Sequence, residues 1–181
     1  MSTITYPEIR DCVNSLGIPV DNLSLQQATD RIVDMAKTKN GRSHLVSTLN
    51  VDFLVNSLGY GFSRARHPEL LNILRTSDMV TADGFPIIWL SKIMGKPLQQ
   101  RVTGSDLTPA LAQRAASAGL SLFLMGGAEG IAAAAAQSLQ QANPGLKIAG
   151  TCAPFISTDG DALVDFAAND AKVLHAINNS G

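Results

Sequence analysis

Four short, mostly apolar runs, "SHLVSTLN" (43–50), "DMVTADG" (78–84), "LSLFLM" (120–125) and "LKIAGTCAPF" (146–155), alternate with stretches of helical spacing. This alternation constrains the fold more than any other feature. Strands without a polar face are buried on both sides, so the pattern predicts an α/β chain whose mostly parallel sheet carries helices on both faces.

The helical stretches have recognisable ends. Leu25, Ala28, Ile32, Val33 and Ala36 share one face, with Ser24 as N-cap and Asn40-Gly41 as the stop. "HPELLNILRTSD" begins at Pro68, and "PIIWLSKIMG" runs from Pro86 to Gly95. Ser105 or Asp106 is expected to cap a helix that continues to Gly119. "VDFLVNSLGYG" reads as helix or irregular chain. The alanine run 132–136 suits close packing of helix on sheet, and Pro144-Gly145 ends that helix. "DGDALVDFAANDAKVLHAINNSG" is again helical. At 181 residues and 45% hydrophobic content the chain fits a single α/β domain, residues 1–181. A strand ordinarily follows such a last helix, so the domain reads as truncated after Gly181.

Charge and cysteine usage exclude several function classes. A net charge of −1 offers no general attraction for nucleic acid or an anionic membrane. Cys12 and Cys152 form no CxxC pair, and His44, His67 and His175 show no metal-ligand spacing, so no metal is expected. Without a leader pattern or a long apolar span, the expected location is cytoplasmic. Peripheral membrane contact stays open, since it needs only an exposed apolar or basic patch.

In open parallel sheets ligands bind beyond the carboxyl ends of the strands. That rule gathers Thr48 and Asn50, Asp83 and Gly84, and the turn Gly126 to Gly130. "MGGAEG" joins strand to helix as phosphate-binding turns do, but it is neither a Walker loop nor GxGxxG, and a plain tight turn explains it equally well. Glu129 is expected to face solvent or a ligand hydroxyl. Asp83 is a candidate general base, against the alternative of a simple Asp-Gly turn. Arg101 suits either a diphosphate or a surface ion pair. Asp106 reads first as a helix cap, Trp89 and its apolar neighbours as core, and His44 as structural. Phe53, Leu54, Tyr60 and Phe62 read as core in preference to a lipid-facing group.

"STLNVDFLV", "VTADGFPIIWLSKIMGKPLQQRVTGSDL", "LFLMGGAEGIA" and "NPGLKIAGTCAPF", in this order and spacing, resemble the WecG/TagA/CpsF family of bacterial glycosyltransferases over roughly residues 16–181. "LGIPVDNLSLQQATDRI" is similar to that family's opening segment. The resemblance implies a Rossmann-like enzyme that transfers a sugar, often N-acetylmannosamine, with inversion from a UDP-sugar to a saccharide on a polyprenyl diphosphate. Such enzymes serve the assembly of teichoic acid and other cell-surface polysaccharides, at the inner face of the plasma membrane. It implies Asp83 as base and Thr48 and Asn50 near the sugars. Gly84, Arg101, Thr103, Gly104 and Asp106 would contact substrate, and Gly126 and Gly127 the nucleotide. No metal or other cofactor is implied.

Two departures stand out. Family members continue with a further strand, a Pro-x-Gln-Glu segment and often a C-terminal appendage, and Phe85-Pro86 stands where some relatives have glycine. The expected donor is therefore N-acetylmannosamine or another hexose. A catalytically incomplete module that binds a nucleotide sugar or lipid diphosphate is the alternative, and self-association is open. An NAD-dependent oxidoreductase lacks its glycine fingerprint here.

Overall fold

The computed structural model describes residues 10–38, 41–58, 67–154 and 166–180, with the backbone alone described for 166–169. Two compact units divide the chain, residues 1–110 and 111–181. The architecture is α/β and Rossmann-like, with short parallel strand pairs and helices between them.

The first unit opens with a hairpin that sequence reading does not anticipate. Strand β1 (Cys12–Ser15) pairs antiparallel with β2 (Ile18–Asp21), Cys12 opposite Asp21 and Ser15 opposite Ile18. The intervening Leu16 and Gly17 take φ values of 53° and 89°. Positive φ at both central residues matches the right-handed twist of a tight hairpin.

Helix α1 (Leu25–Lys37) starts as expected. Ser24 Oγ accepts the Gln27 N–H at 3.2 Å, and Gln27 Oε1 accepts the Ser24 N–H at 2.8 Å, a complete capping box. The helix buries Ala28, Thr29 and Val33 and ends before Thr38, while Asn40 of the expected stop lies outside the described residues.

Strand β3 (Val46–Leu49) then pairs in parallel with β4 (Met79–Ala82), Val46 opposite Met79 and Leu49 opposite Ala82. Helices α2 (Val51–Leu58) and α3 (Pro68–Thr76) lie between them in the chain, and all four residues of β4 are buried. Val20, Leu49, Leu74, Val80 and Ile87 form the centre of this unit's core. Helix α4 (Phe85–Ile93) starts one residue before the expected Pro86, with Gly84 at φ 116° as its N-cap. Gly84 is the residue type that tolerates such a φ.

Helix α5 (Gly104–Ala118) is capped by Thr103, which corrects the expectation of Ser105 or Asp106. Thr103 Oγ1 accepts the Asp106 N–H at 3.0 Å, and Asp106 Oδ2 accepts the Thr103 hydroxyl at 2.8 Å. The reason lies in the preceding residue. Val102 donates its N–H to the Ala82 carbonyl at 2.8 Å, so Thr103 is the point at which extended chain turns into helix.

In the second unit β5 (Ser121–Met125) and β6 (Lys147–Cys152) form another parallel pair, with an irregularity between Leu122 and Phe123. Gly150 lies opposite Phe123, and a Cβ there would come within 2.6 Å of the Phe123 ring. The ring takes the space that a side chain would need. Helix α6 (Ile131–Ala142) packs on both strands and buries Ala132 and Ala136, so two alanines of the run make the close approach. Helix α7 (Phe166–Asn178) contacts β6.

Candidate active site

The parallel register of β3 and β4 brings two strand ends to one edge. Leu49 stands opposite Ala82, and Asp83 extends the ladder by donating its N–H to the Leu49 carbonyl at 2.8 Å. Asn50 and Asp83 therefore emerge side by side. Asn50 uses its side-chain oxygen locally, accepting the Phe53 N–H at 2.8 Å at the start of α2.

The loop before α5 returns to this edge. With Val102 bonded to Ala82, the Gly104 N–H points at Asp83 Oδ2 from 3.5 Å, long for a hydrogen bond. A Cβ on Gly104 would lie 3.8 Å from Thr48 Cγ2. Thr48, Asp83 and Gly104 thus surround one point at the strand ends, and both side chains are half-buried. Helices α4 and α5 both begin here, and helix N-termini favour negative charge.

Arg101 sits 5.2 Å above the Phe85 ring and 3.5 Å from Asp106 Oδ2. The surface ion pair that the sequence left open is present. Since 39% of the arginine side chain and 42% of the aspartate remain exposed, the pair is weakly held. Thr103 is buried and joined to Ser105 at 2.8 Å as well as to Asp106. Its hydroxyl proton goes to Asp106, so the Ser105 hydroxyl donates to Thr103. Thr103 and Asp106 are held in this helix cap.

In the second unit, Gly126 and Gly127 take φ values of 120° and 76°, and Gly130 begins α6 in the left-handed region. The Gly126 N–H donates to the Cys152 carbonyl at 2.9 Å, so that amide serves the sheet. A Cβ on Gly127 would sit 3.0 Å from Ile131 Cγ2. The tight-turn reading of these glycines is therefore satisfied, and Glu129 is exposed as expected.

Several expectations need correction. Trp89 is 60% exposed and does not join the core; Ile87, Ile88 and Ser91 fill the inner face of α4. An all-round apolar helix carries no periodicity to say which face turns inward. Phe53 is exposed while Leu54 is buried, and Tyr60 and Phe62 lie outside the described residues. His44, expected as a satisfied structural histidine, stands 3.6 Å from Asp78, and neither of its buried ring nitrogens has a hydrogen-bond partner.

Sequence reasoning missed Asp21. Its fully buried carboxylate accepts Arg10 Nε at 3.0 Å, Arg31 Nη1 at 2.9 Å and the Val80 N–H at 2.8 Å. The bond to Asp21 raises the Arg10 pKa, and burial pushes the Cys12 thiol up. No local signal marks Asp21, because these partners lie 10 to 59 residues away.

A carboxylate at the end of a parallel strand, where two helices begin and with a half-exposed guanidinium on the same loop as Gly104, has the parts for group transfer to a hydroxyl. The chain belongs to the glycosyl transferase WecG/TagA/CpsF family, which it matches over residues 13–181. It is similar to the N-acetylglucosaminyldiphosphoundecaprenol N-acetyl-beta-D-mannosaminyltransferase of Bacillus spizizenii, 28% identical over 114 residues, covering 63% of this chain and 44% of the relative. It is also similar to the enzyme of the same name from Staphylococcus aureus, 26% identical over 137 residues, covering 76% of this chain and 51% of the relative. The chain spans about half the length of these curated relatives.

Proposed function

We propose that the chain acts as an inverting glycosyltransferase that moves a sugar from a UDP-sugar to a saccharide carried on a polyprenyl diphosphate, in the synthesis of a cell-surface polymer. The relatives' names support N-acetylmannosamine as the transferred sugar and a diphosphoundecaprenol-linked N-acetylglucosamine as acceptor. The observation that carries the reading is the meeting of Asp83, Thr48 and Gly104 at the ends of two parallel strands.

In this reading Asp83 takes the proton of the acceptor hydroxyl as its oxygen attacks the anomeric carbon. The bond to the UDP oxygen breaks on the opposite face, which inverts the centre in one displacement. Negative charge grows on the departing diphosphate. Arg101 and the helix N-termini at this edge supply the opposing potential, and Thr48 and Asn50 orient the sugars. Gly84 leaves room beside the base, while Thr103, Gly104 and Asp106 hold the loop against it. The family resemblance assigns Gly126 and Gly127 to the nucleotide. The chemistry calls for no metal or other cofactor. The site would work at the cytoplasmic face of the membrane that holds the acceptor.

Asp83→Asn tests the assignment. In a protein of the relatives' full length, transfer should fall by about two to four orders of magnitude while calorimetric UDP affinity holds, as expected for loss of a general base. Unchanged transfer would overturn the role of Asp83. Sugar transfer by the 181-residue chain alone would eliminate the alternative of an incomplete binding module.

A further inference from the structure

Helix α4 has two apolar faces and only one is covered. Ile87, Ile88 and Ser91 are buried. Phe85, Trp89 and Ile93, spaced four residues apart on the other side, are 59%, 60% and 83% exposed. Phe85 and Trp89 stand with ring centroids 6.4 Å apart. Side chains of this size, exposed in a row, mark a surface that contacts something apolar.

The charge along the row is mainly positive: Asp106, paired with Arg101 at 3.5 Å, is the acid beside it. Between Asp83 and Asp106 the chain contains Lys92, Lys96 and Arg101 and no acidic residue. Lys92 follows Trp89 by three residues and so borders the row, while Arg101 lies over Phe85. Aromatic side chains are favoured at the boundary between headgroups and acyl chains, lysines reach from it to phosphates, and nearby cations add attraction to anionic lipid.

A second copy fits this face poorly. Apposing two such faces would bring Lys92 and Lys96 of both copies together, with Asp106 already paired with Arg101. Three apolar side chains also supply less than the ~800 Å² that each partner of a stable interface buries.

We infer that the outer face of α4 docks onto an anionic phospholipid bilayer, with Phe85, Trp89 and Ile93 entering the headgroup boundary and Lys92 and Lys96 meeting lipid phosphates. Asp83 precedes the first turn of this helix, so docking sets the strand-end site beside the surface from which a lipid-linked acceptor would rise. That last link rests on the proposed function; the docking itself does not.

Trp89 is the chain's single tryptophan, so its emission reports on this face. The whole chain is titrated with vesicles of phosphatidylglycerol and phosphatidylcholine. The expected result is a blue shift of emission and quenching by lipids brominated in the acyl chain. Binding should weaken at least tenfold in pure phosphatidylcholine, in the double variant Lys92→Glu, Lys96→Glu, and in Ile93→Ser, with far-ultraviolet circular dichroism unchanged. Emission that does not respond to anionic vesicles would overturn the inference, as would binding that these variants leave intact. So would emission that shifts on dilution without lipid, which would assign the face to a second copy. Vesicle binding without transferase activity in the full-length protein would refute the proposed function and leave the docking face standing.

Discussion

Asp21 Oδ2 accepts the backbone N–H of Val80 at 2.8 Å, so a carboxylate at the end of β2 grips β4 three residues before the chain reaches Asp83. The same buried carboxylate is paired with Arg10 and Arg31. Removing the carboxylate leaves the Val80 N–H buried without its acceptor and two guanidinium groups without theirs. Asp21→Ala should therefore lower unfolding stability by about 3 kcal/mol. Urea denaturation of both proteins measures it. A loss no larger than that of a surface substitution would show that β4 is held by its other contacts.

The two faces of α4 give opposite expectations for stability. Ile87→Ala empties a fully buried position and should destabilise by about 3 kcal/mol. Trp89→Ala removes a larger side chain from an exposed position and should change stability by only about 0.5 kcal/mol. Comparable losses in thermal or urea unfolding would place Trp89 in a core after all.

Asp78 predicts a dependence on pH. Burial, the largest single influence, pushes its carboxyl pKa up, but the Leu45 N–H, Arg42 and His44 together outweigh burial and hold it below the ordinary value. A depressed folded pKa stabilises the fold above the unfolded value of about 3.9, and the contribution disappears as pH falls through the folded value. Asp78→Asn should cost about 1 kcal/mol at pH 7, with the gap to the parent protein closing below about pH 4. A gap of equal size at pH 7 and pH 3 would remove the carboxylate charge from the explanation.

Two glycines with similar φ should respond differently to substitution. Gly119, at φ 69°, has open space where a Cβ would point, so Gly119→Ala should cost about 1 kcal/mol for the left-handed backbone alone. Gly127, at φ 76°, adds the contact at 3.0 Å with Ile131, so Gly127→Ala should cost about 1 kcal/mol more. Equal losses in denaturant unfolding would mean that Ile131 moves aside freely.

Much of the candidate edge was legible because its causes are local. A polar residue directly after an apolar run marks a strand end, which singles out Asn50 and Asp83. Ser24 was legible as the N-cap of α1, and the structure adds the reciprocal bond from Gln27. The segment "TGSD" offers three residues able to cap α5, and choosing Thr103 required knowing that Val102 is bonded to Ala82 across the chain. The first hairpin was silent because its turn is Leu-Gly, without the Asn-Gly or Asp-Gly signature of a two-residue loop.

Read along the chain, the residues give the alternation of strands and helices after the first hairpin, the crossover that makes β3 and β4 parallel, the family, and the edge on which polar residues collect. Periodicity, glycine placement and strand-end polarity act over a few residues and can be read along the chain. Only the tertiary structure decided that Asp21 holds β4, that Gly104 faces both Asp83 and Thr48, that Arg101 lies over Phe85, and that Trp89 turns outward. Each of these depends on which distant segment occupies the adjacent space, and packing, unlike propensity, is a property of pairs far apart in the chain.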